Sequence, residues 1–314
     1  MLLNCSTKNM DYFKVGSGRM MTKKNTVHKW LVHMCLILFC AMCLLPLVLT
    51  ISISLTDGAV IQTYGYQLIP QKFSWEAYRF IWMDPSSLLA GYKNSLFIVV
   101  FGTTGNLLVT SMIAYALARR DFHLRNAISF YIFVTMIFSG GIVPLYILIV
   151  QYLEWKNSLI SLIIPAFAAP FQIFMLRVFF QEIPAPLIES AKIDGASDFR
   201  TYWSIVLPLS KPALATVALM MTLHYWNETF NAILYIDKVS LYPIQLILKN
   251  ITSYIELVKG SGVDPMGNPI SASDVPTDAI MYAMMVLTSL PVMFLFGFLQ
   301  KYFVKGLTIG AVKG

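Results

Sequence analysis

Apolar runs of about 20 residues or more recur six times along the chain, and they restrict what it can fold into. They cover residues 30–53 (WLVHMCLILFCAMCLLPLVLTISI), 94–118, 127–150, 157–180, 212–236 and 279–303. At a rise of ~1.5 Å per residue, each is long enough to cross ~30 Å of hydrocarbon. Backbone groups in lipid must find partners within their own segment, so each run is expected to be a helix. The alternating pattern of a membrane barrel is absent. The expected fold class is an all-α membrane protein with six transmembrane helices. Composition agrees: 57% of the 314 residues are apolar and 12% charged, against roughly 25% charged in soluble domains.

The formal net charge of +7 would suit a nucleic-acid partner if it were clustered on a soluble face. Its distribution instead follows the membrane. With the N-terminus inside, the inner segments hold Lys8, Lys14, Arg19, Lys23, Lys24 and Lys29 before the first span, and Arg119, Arg120 and Arg125 after the second. They also hold Arg177, Lys192, Arg200 and Lys211 around the fourth loop, and Lys301, Lys305 and Lys313 in the tail. The outer segments hold Lys72, Arg79, Lys93, Lys156, Lys238, Lys249 and Lys259. Sixteen basic residues against seven puts both termini in the cytoplasm of a multi-pass cell-membrane protein. The run from Trp30 is too long for a signal-peptide core and has no small-x-small site after it, so it reads as an uncleaved first span.

Catalytic and metal chemistry find little support. Cys35, Cys40 and Cys43 share one apolar run, where a thiol acts as a small hydrophobe, and Cys5 stands apart; no disulfide framework or metal site is expected. There is no GxxxxGK[ST] phosphate loop and no HExxH, so the chain cannot itself hydrolyse ATP. Two outer loops are long. Residues 54–93 carry Trp75, Tyr78 and Trp82 as interfacial aromatics, and residues 237–278 are turn-rich, with Asp264, Asp274 and Asp278 but no clear periodicity.

Between the fourth and fifth runs lies ESAKIDGASDFRTYWSIVLPLSKP, residues 189–212, with six charged residues beside segments that have almost none. Pro184 and Pro186 suit a helix start, Asp194-Gly195 a turn, and Ser197 the cap of a second short helix; Pro208 and Pro212 mark the return to the membrane. Ala191, Gly195 and Ala196 are small enough for another backbone to approach closely. On these grounds alone, the segment is either an interfacial connector anchored by Phe199, Tyr202 and Trp203 or a docking surface.

Glu189-Ser190-Ala191, three residues, Gly195, nine residues and Ile205-Val206-Leu207-Pro208 follow the pattern EAA-x3-G-x9-I-x-LP. This resembles the signature loop of permease subunits of bacterial ABC importers, with Ser190 in place of the usual Ala. The tail QKYFVKGLTIGAVKG (300–314), Trp226-Asn227-Glu228, PFQIFMLRVFFQEIP and VPTDAIMYA are similar to the MalG-like carbohydrate branch, and to its LplC-like oligosaccharide permeases. The resemblance spans roughly residues 30–314 and implies a type I importer permease fold. It divides the chain into a basic cytoplasmic segment (1–29), a permease domain (30–304) with a coupling loop at 181–211, and a cytoplasmic tail (305–314).

The resemblance further implies that Glu189, Ser190, Ala191, Asp194, Gly195, Ala196, Ile205, Leu207 and Pro208 form the contact with an ATPase. Glu189 would pair with a basic residue there, Gly195 would supply the turn, and Leu207-Pro208 would lead into the fifth span. The implied partners are a second permease subunit, two cytoplasmic ATPase subunits that bind the ATP and Mg, an extracytoplasmic solute-binding protein, carbohydrate and membrane lipid. No cofactor is implied for this chain.

A carboxylate within a span costs about 2.5–3.5 kcal/mol at the bilayer centre, so Glu228 is expected to face a cavity or a partner. His224 lies one turn before it and could bond to it. Two readings stay open for the fifth-span group: helix–helix packing, or a sugar pathway lined by Tyr225, Trp226, Asn227 and Glu228, with Gln172 of the fourth span. Pro165 and Pro170 either kink the fourth span or free carbonyls for a path; Ser139-Gly140-Gly141 reads first as close packing. The span centres hold no Lys or Arg, which favours a neutral sugar. Two alternatives remain: a permease for another solute, and a self-contained secondary transporter using Glu228 and His224 as a proton relay.

Overall fold

Proline and glycine decide where the long apolar runs stay straight. The computed structural model describes residues 23–83, 85–261 and 278–311. The basic segment up to residue 22 and the turn-rich stretch 262–277 lie outside them, as do the last residues of the tail. The chain divides into two units, residues 1–49 and 50–314. Helix α1 (Lys23–Ser54) forms most of the first, and its side chains from Lys29 to Val48 are exposed. A helix that is apolar all round and exposed all round suits lipid rather than water.

In the second unit the short outer helices α2 (Gly58–Tyr64) and α3 (Glu76–Met83) lead into α4 (Pro85–Ala118). Helix α4 starts nine residues before the expected boundary at 94. It is the centre of the packing, against the later helices α8 (Pro170–Gln181), α12 (Lys211–Trp226) and α14 (Ile244–Ser261). Its buried positions Leu88, Gly91, Ser95, Ile98, Gly102, Asn106, Thr110, Ala114 and Leu117 recur every three or four residues, one continuous stripe. Two glycines on α4 allow ring contacts that no larger residue would. A Cβ at Gly102 would lie 2.7 Å from the Tyr225 ring, and one at Gly105 would run into Phe167.

The third run is not one helix. Helix α5 (Arg125–Ile137) and α6 (Ile142–Ile147), which continues through a π-helical turn at Leu148–Tyr152, meet at 108°. The cause is Ser139-Gly140-Gly141. Gly141 has φ +86°, and a Cβ at Gly140 would meet nothing within 4 Å. These residues therefore serve a break here, in place of the close packing expected from sequence.

The fourth run is broken as well. Helix α7 (Ile160–Ile163) runs into a 3-10 turn at Ile164–Ala166, and α8 (Pro170–Gln181) follows at 45°. Pro170 lacks an N–H, and the residue before it, Ala169, is extended. The carbonyls left over at Ala166 and Phe167 accept from Asn106 Nδ2 at 2.6 and 3.2 Å, and Phe167 O also accepts from Thr110 Oγ1 at 3.1 Å.

The segment after α8 folds into α9 (Ala185–Ile193), α10 (Asp198–Thr201), a π-helical turn at Tyr202–Val206 and α11 (Leu207–Leu209). It turns 82° at Ser210 into α12 (Lys211–Trp226). The fifth run, expected to reach 236, stops at Trp226 and resumes as the separate α13 (Phe230–Tyr235). Helix α14 (Ile244–Ser261) occupies what sequence left as an aperiodic outer loop, and buries Ile244, Ile255 and Val258. The sixth run is α15 (Asp278–Ala311), with Pro291 inside it. Among the described residues three helices are long and apolar enough to cross a membrane, and six spans result when each bent pair counts as one.

Candidate functional site

Helix α9 ends in a closed turn. The Ala196 N–H reaches Ala191 O at 2.9 Å, the Gly195 N–H reaches Lys192 O at 3.0 Å, and Gly195 has φ +78°. That left-handed conformation is the reason for glycine, since a Cβ there would touch nothing within 4 Å. Ser197 Oγ then accepts from the Arg200 N–H at 3.2 Å and caps α10, as its position suggested. Ser190, the one departure from the signature, is exposed and donates to Leu187 O at 3.1 Å.

Residues of the signature divide by burial. Ala191 is buried, Ala196, Ile205 and Leu207 are half-buried, and Glu189, Asp194, Gly195 and Pro208 are exposed. One turn beyond Glu189, and so on the same face, Ile193 is 85% exposed. Ile193 lies outside the signature, and its only signal in the sequence is the i, i+4 spacing from Glu189. Tyr202 and Val206, each 1% exposed, fix the other end of the segment, and Tyr202 OH lies 2.7 Å from Ser111 Oγ of α4.

A ring of charges ties the segment to the end of α4. Arg119 pairs with both Asp121 and Asp198, and Lys192 Nζ lies 3.0 Å from Asp121 Oδ2. The hydrogen bonds from Arg119, and then that from Lys192, hold the Asp121 carboxyl well below the usual carboxylate range. Its bonds to Asp121 and then to Asp198 raise Arg119 above its ordinary value, against the opposing effect of burial. One acidic residue thus joins the α4–α5 connection to α9, and the arginine beside it reaches α10. In the sequence, Arg119 and Lys192 stand out only as part of the cytoplasmic excess of basic residues.

The fifth-span residues are arranged differently from a lined path. Tyr225 and Trp226 are buried; Tyr225 OH donates to Ile163 O at 2.9 Å and Trp226 Nε1 to Thr288 O at 3.2 Å. Both are packed between α12 and its neighbours. Asn227 is exposed and its amide donates back to Leu223 O at 2.9 Å. Glu228 is 8% exposed: Oε1 accepts the Asn231 N–H at 2.9 Å in the first turn of α13, and Oε2 stands 3.8 Å from His224 Nε2. A carboxylate bound at a helix start is stabilised by the unpaired N–H groups there. Gln172 is half-buried in the first turn of α8, and no hydrogen bond joins it to the other four. No cluster of His, Cys, Asp or Glu suited to a metal occurs among the described residues.

Six apolar spans, three of them broken at defined residues, joined between the fourth and fifth by a surface helix–turn–helix, define a polytopic α-helical membrane protein. The chain belongs to the binding-protein-dependent transport system inner membrane component family, whose model matches residues 106–309. It is similar to the polygalacturonan/rhamnogalacturonan transport system permease protein YtcP of Bacillus subtilis (strain 168). They are 37% identical over 294 residues, 93% of this chain and 100% of that protein. Protein LplC of the same organism is 36% identical over 297 residues, covering 93% and 98%. The fold matches a chain of a bacterial ABC transporter involved in the import of the acidic polysaccharide alginate. That match has a TM-score of 0.75 and 27% identity, and covers 90% of this chain and 98% of the other. The chain is thus an ABC importer permease subunit with the type I fold, and the secondary-transporter alternative falls.

Proposed function

We propose that this chain is one of two permease subunits of an ATP-driven importer of oligosaccharides, working with two cytoplasmic ATPase subunits and an external solute-binding protein. It sits in the bacterial cell membrane with both termini in the cytoplasm, as the sixteen-to-seven partition of Lys and Arg favours. The chain does no chemistry of its own; ATP and Mg belong to the ATPase subunits. The names of YtcP and of the alginate importer support a carbohydrate cargo. Because alginate is acidic, likeness to its importer removes the preference for a neutral sugar that the uncharged span centres suggested.

The observation that carries the coupling role is the exposed Glu189–Ile193 edge of α9, presented on a helix tied to α4 by the Arg119–Asp121–Lys192 pairs. A carboxylate beside an apolar anchor is the composition of a docking surface, and the ties allow motion imposed on α9 to reach α4 and α12 as rigid displacement. In the pathway, Asn227 and Gln172 are the residues that meet sugar hydroxyls, with Tyr225, Trp226 and Glu228 behind them holding the mouth of α12 in shape. The test is uptake by the assembled transporter in proteoliposomes. Ile193→Asp and Gly195→Val should abolish sugar uptake while the four-part complex still inserts. Normal uptake by both variants would end the proposal.

A further inference from the structure

A cavity of about 680 Å³ opens beside α9, where α4 ends, α5 begins and α8 gives way to the coupling segment. Its wall carries four cations, Arg119, Arg120, Arg125 and Lys192, against two carboxylates, Asp121 and Glu189. The ion pairs account for only part of this charge. Arg119 and Lys192 are matched by Asp121 and Asp198. Arg120 and Arg125 form no ion pair among the described residues; the first is exposed and the second half-buried. Glu189 forms no ion pair among the described residues either, so two free guanidinium groups stand against one free carboxylate and the wall keeps an excess of positive charge.

Position makes this charge more than a solvated surface. Ala118 is the last residue of α4, Arg125 the first of α5 and Gln181 the last of α8, so the cavity lies where three span ends meet the membrane surface. That level is occupied by lipid headgroups. The remaining wall includes the half-buried Ile183 and Ile188, which would accept the glycerol and first methylenes next to a headgroup. Guanidinium forks match the oxygens of a phosphate bidentately, and basic pockets between helices at a membrane surface suit anionic headgroups.

We propose that this cavity binds the phosphate of an anionic phospholipid, held by Arg120 and Arg125 with Lys192 at the rim, so that the lipid is wedged between the α4–α5 connection and α9. The same phosphate chemistry could be met by the free anion, and the experiment separates the two. An effect on coupling rests on the function proposed above; the binding itself does not, and is measured without transport.

The full chain, purified with its co-expressed partners, is exchanged into phosphatidylcholine nanodiscs with and without phosphatidylglycerol, then released for native mass spectrometry. The wild type should retain phosphatidylglycerol. Arg120→Gln with Arg125→Gln should lower its apparent affinity roughly 30-fold, the effect of two basic contacts near a charged surface. A control pair outside the cavity, Arg200→Gln with Lys211→Gln, should retain it. Equal loss in both pairs would overturn the proposal in favour of diffuse surface charge. Displacement of the lipid by millimolar inorganic phosphate would overturn it in favour of the free anion. Full retention by the Arg120/Arg125 variant would end it outright. Where retention behaves as expected, sugar uptake per ATP should also fall in phosphatidylcholine alone; normal lipid binding with no uptake in any lipid would count against the importer reading and leave the site intact.

Discussion

Asn106 of α4 donates from one side-chain nitrogen to two successive carbonyls, Ala166 O at 2.6 Å and Phe167 O at 3.2 Å, across the break in the fourth span. The residue is fully buried and its Oδ1 has no partner. Its amide is there to donate. Asn106→Ala should destabilise the protein by about 1–3 kcal/mol, because Ala166 O loses its side-chain donor and Phe167 O keeps only that of Thr110. Asn106→Asp should cost more, since it sets an acceptor against acceptors. Thermal unfolding in detergent gives the order; an Asp variant as stable as wild type would contradict the assignment.

Gly102 and Gly105 face rings that differ in freedom. Phe167 beside Gly105 has no polar atom to hold it, whereas Tyr225 beside Gly102 is buried and bonded to Ile163 O. A methyl at Gly102 therefore meets a ring that cannot swing aside. Gly102→Ala should cost about 1–3 kcal/mol and exceed Gly105→Ala, although the Gly105 contact is the closer one. Adding Tyr225→Phe should recover part of the Gly102→Ala loss by releasing the ring. The comparison needs only melting temperatures of the three variants.

The ties around Arg119 should matter to coupling rather than to stability. Asp198 is 60% exposed on its side chain, and exposed pairs are worth less than ~1 kcal/mol. Asp198→Asn should leave unfolding almost unchanged but raise ATP turnover per sugar imported. Reversing the pair, Arg119→Asp with Asp198→Arg, should not restore coupling fully, because Asp121 would then face a second carboxylate. Acid should loosen the same ring. A carboxyl whose folded value is depressed contributes above its ordinary value near ~3.9, and that contribution is lost as pH falls through the folded value. The coupling ratio should therefore be flat from pH ~5 upward.

Glu228 distinguishes packing from pathway. Glu228→Gln keeps an acceptor for the Asn231 N–H and should be near wild type in stability; Glu228→Ala loses the cap and should cost about 0.5–2 kcal/mol. Sugar uptake that falls tenfold in the Gln variant, with its melting temperature unchanged, would show that the carboxylate itself meets the cargo.

What could be read beforehand followed from the length of apolar runs and the spacing of the signature. Hydrocarbon thickness forces the first, and turn chemistry at Asp194-Gly195 and Ser197 forces the second. The bends were less legible, because Pro170 and Gly141 permit a break without dictating its angle. Helix α14 was missed although Ile244, Ile247, Ile251, Ile255 and Val258 keep a helical repeat, since its neighbours are turn-rich. The burial of Tyr225 and Trp226 depends on Ile163 and Thr288, each 62 positions away, and no local pattern announces such a partner. The ring around Arg119 likewise joins residues up to 79 positions apart.

The 108° bend after Ile137 also bears on how the third span is completed. Helix α5 has thirteen residues, about 20 Å of rise, and the arm after the bend is shorter still, so neither reaches across ~30 Å of hydrocarbon. Helix α5 buries none of its side chains in the chain. The third span is therefore completed by its neighbours: α5 packs on α4 and α8, and Arg177 of α8 donates to Ser129 Oγ of α5 at 2.8 Å.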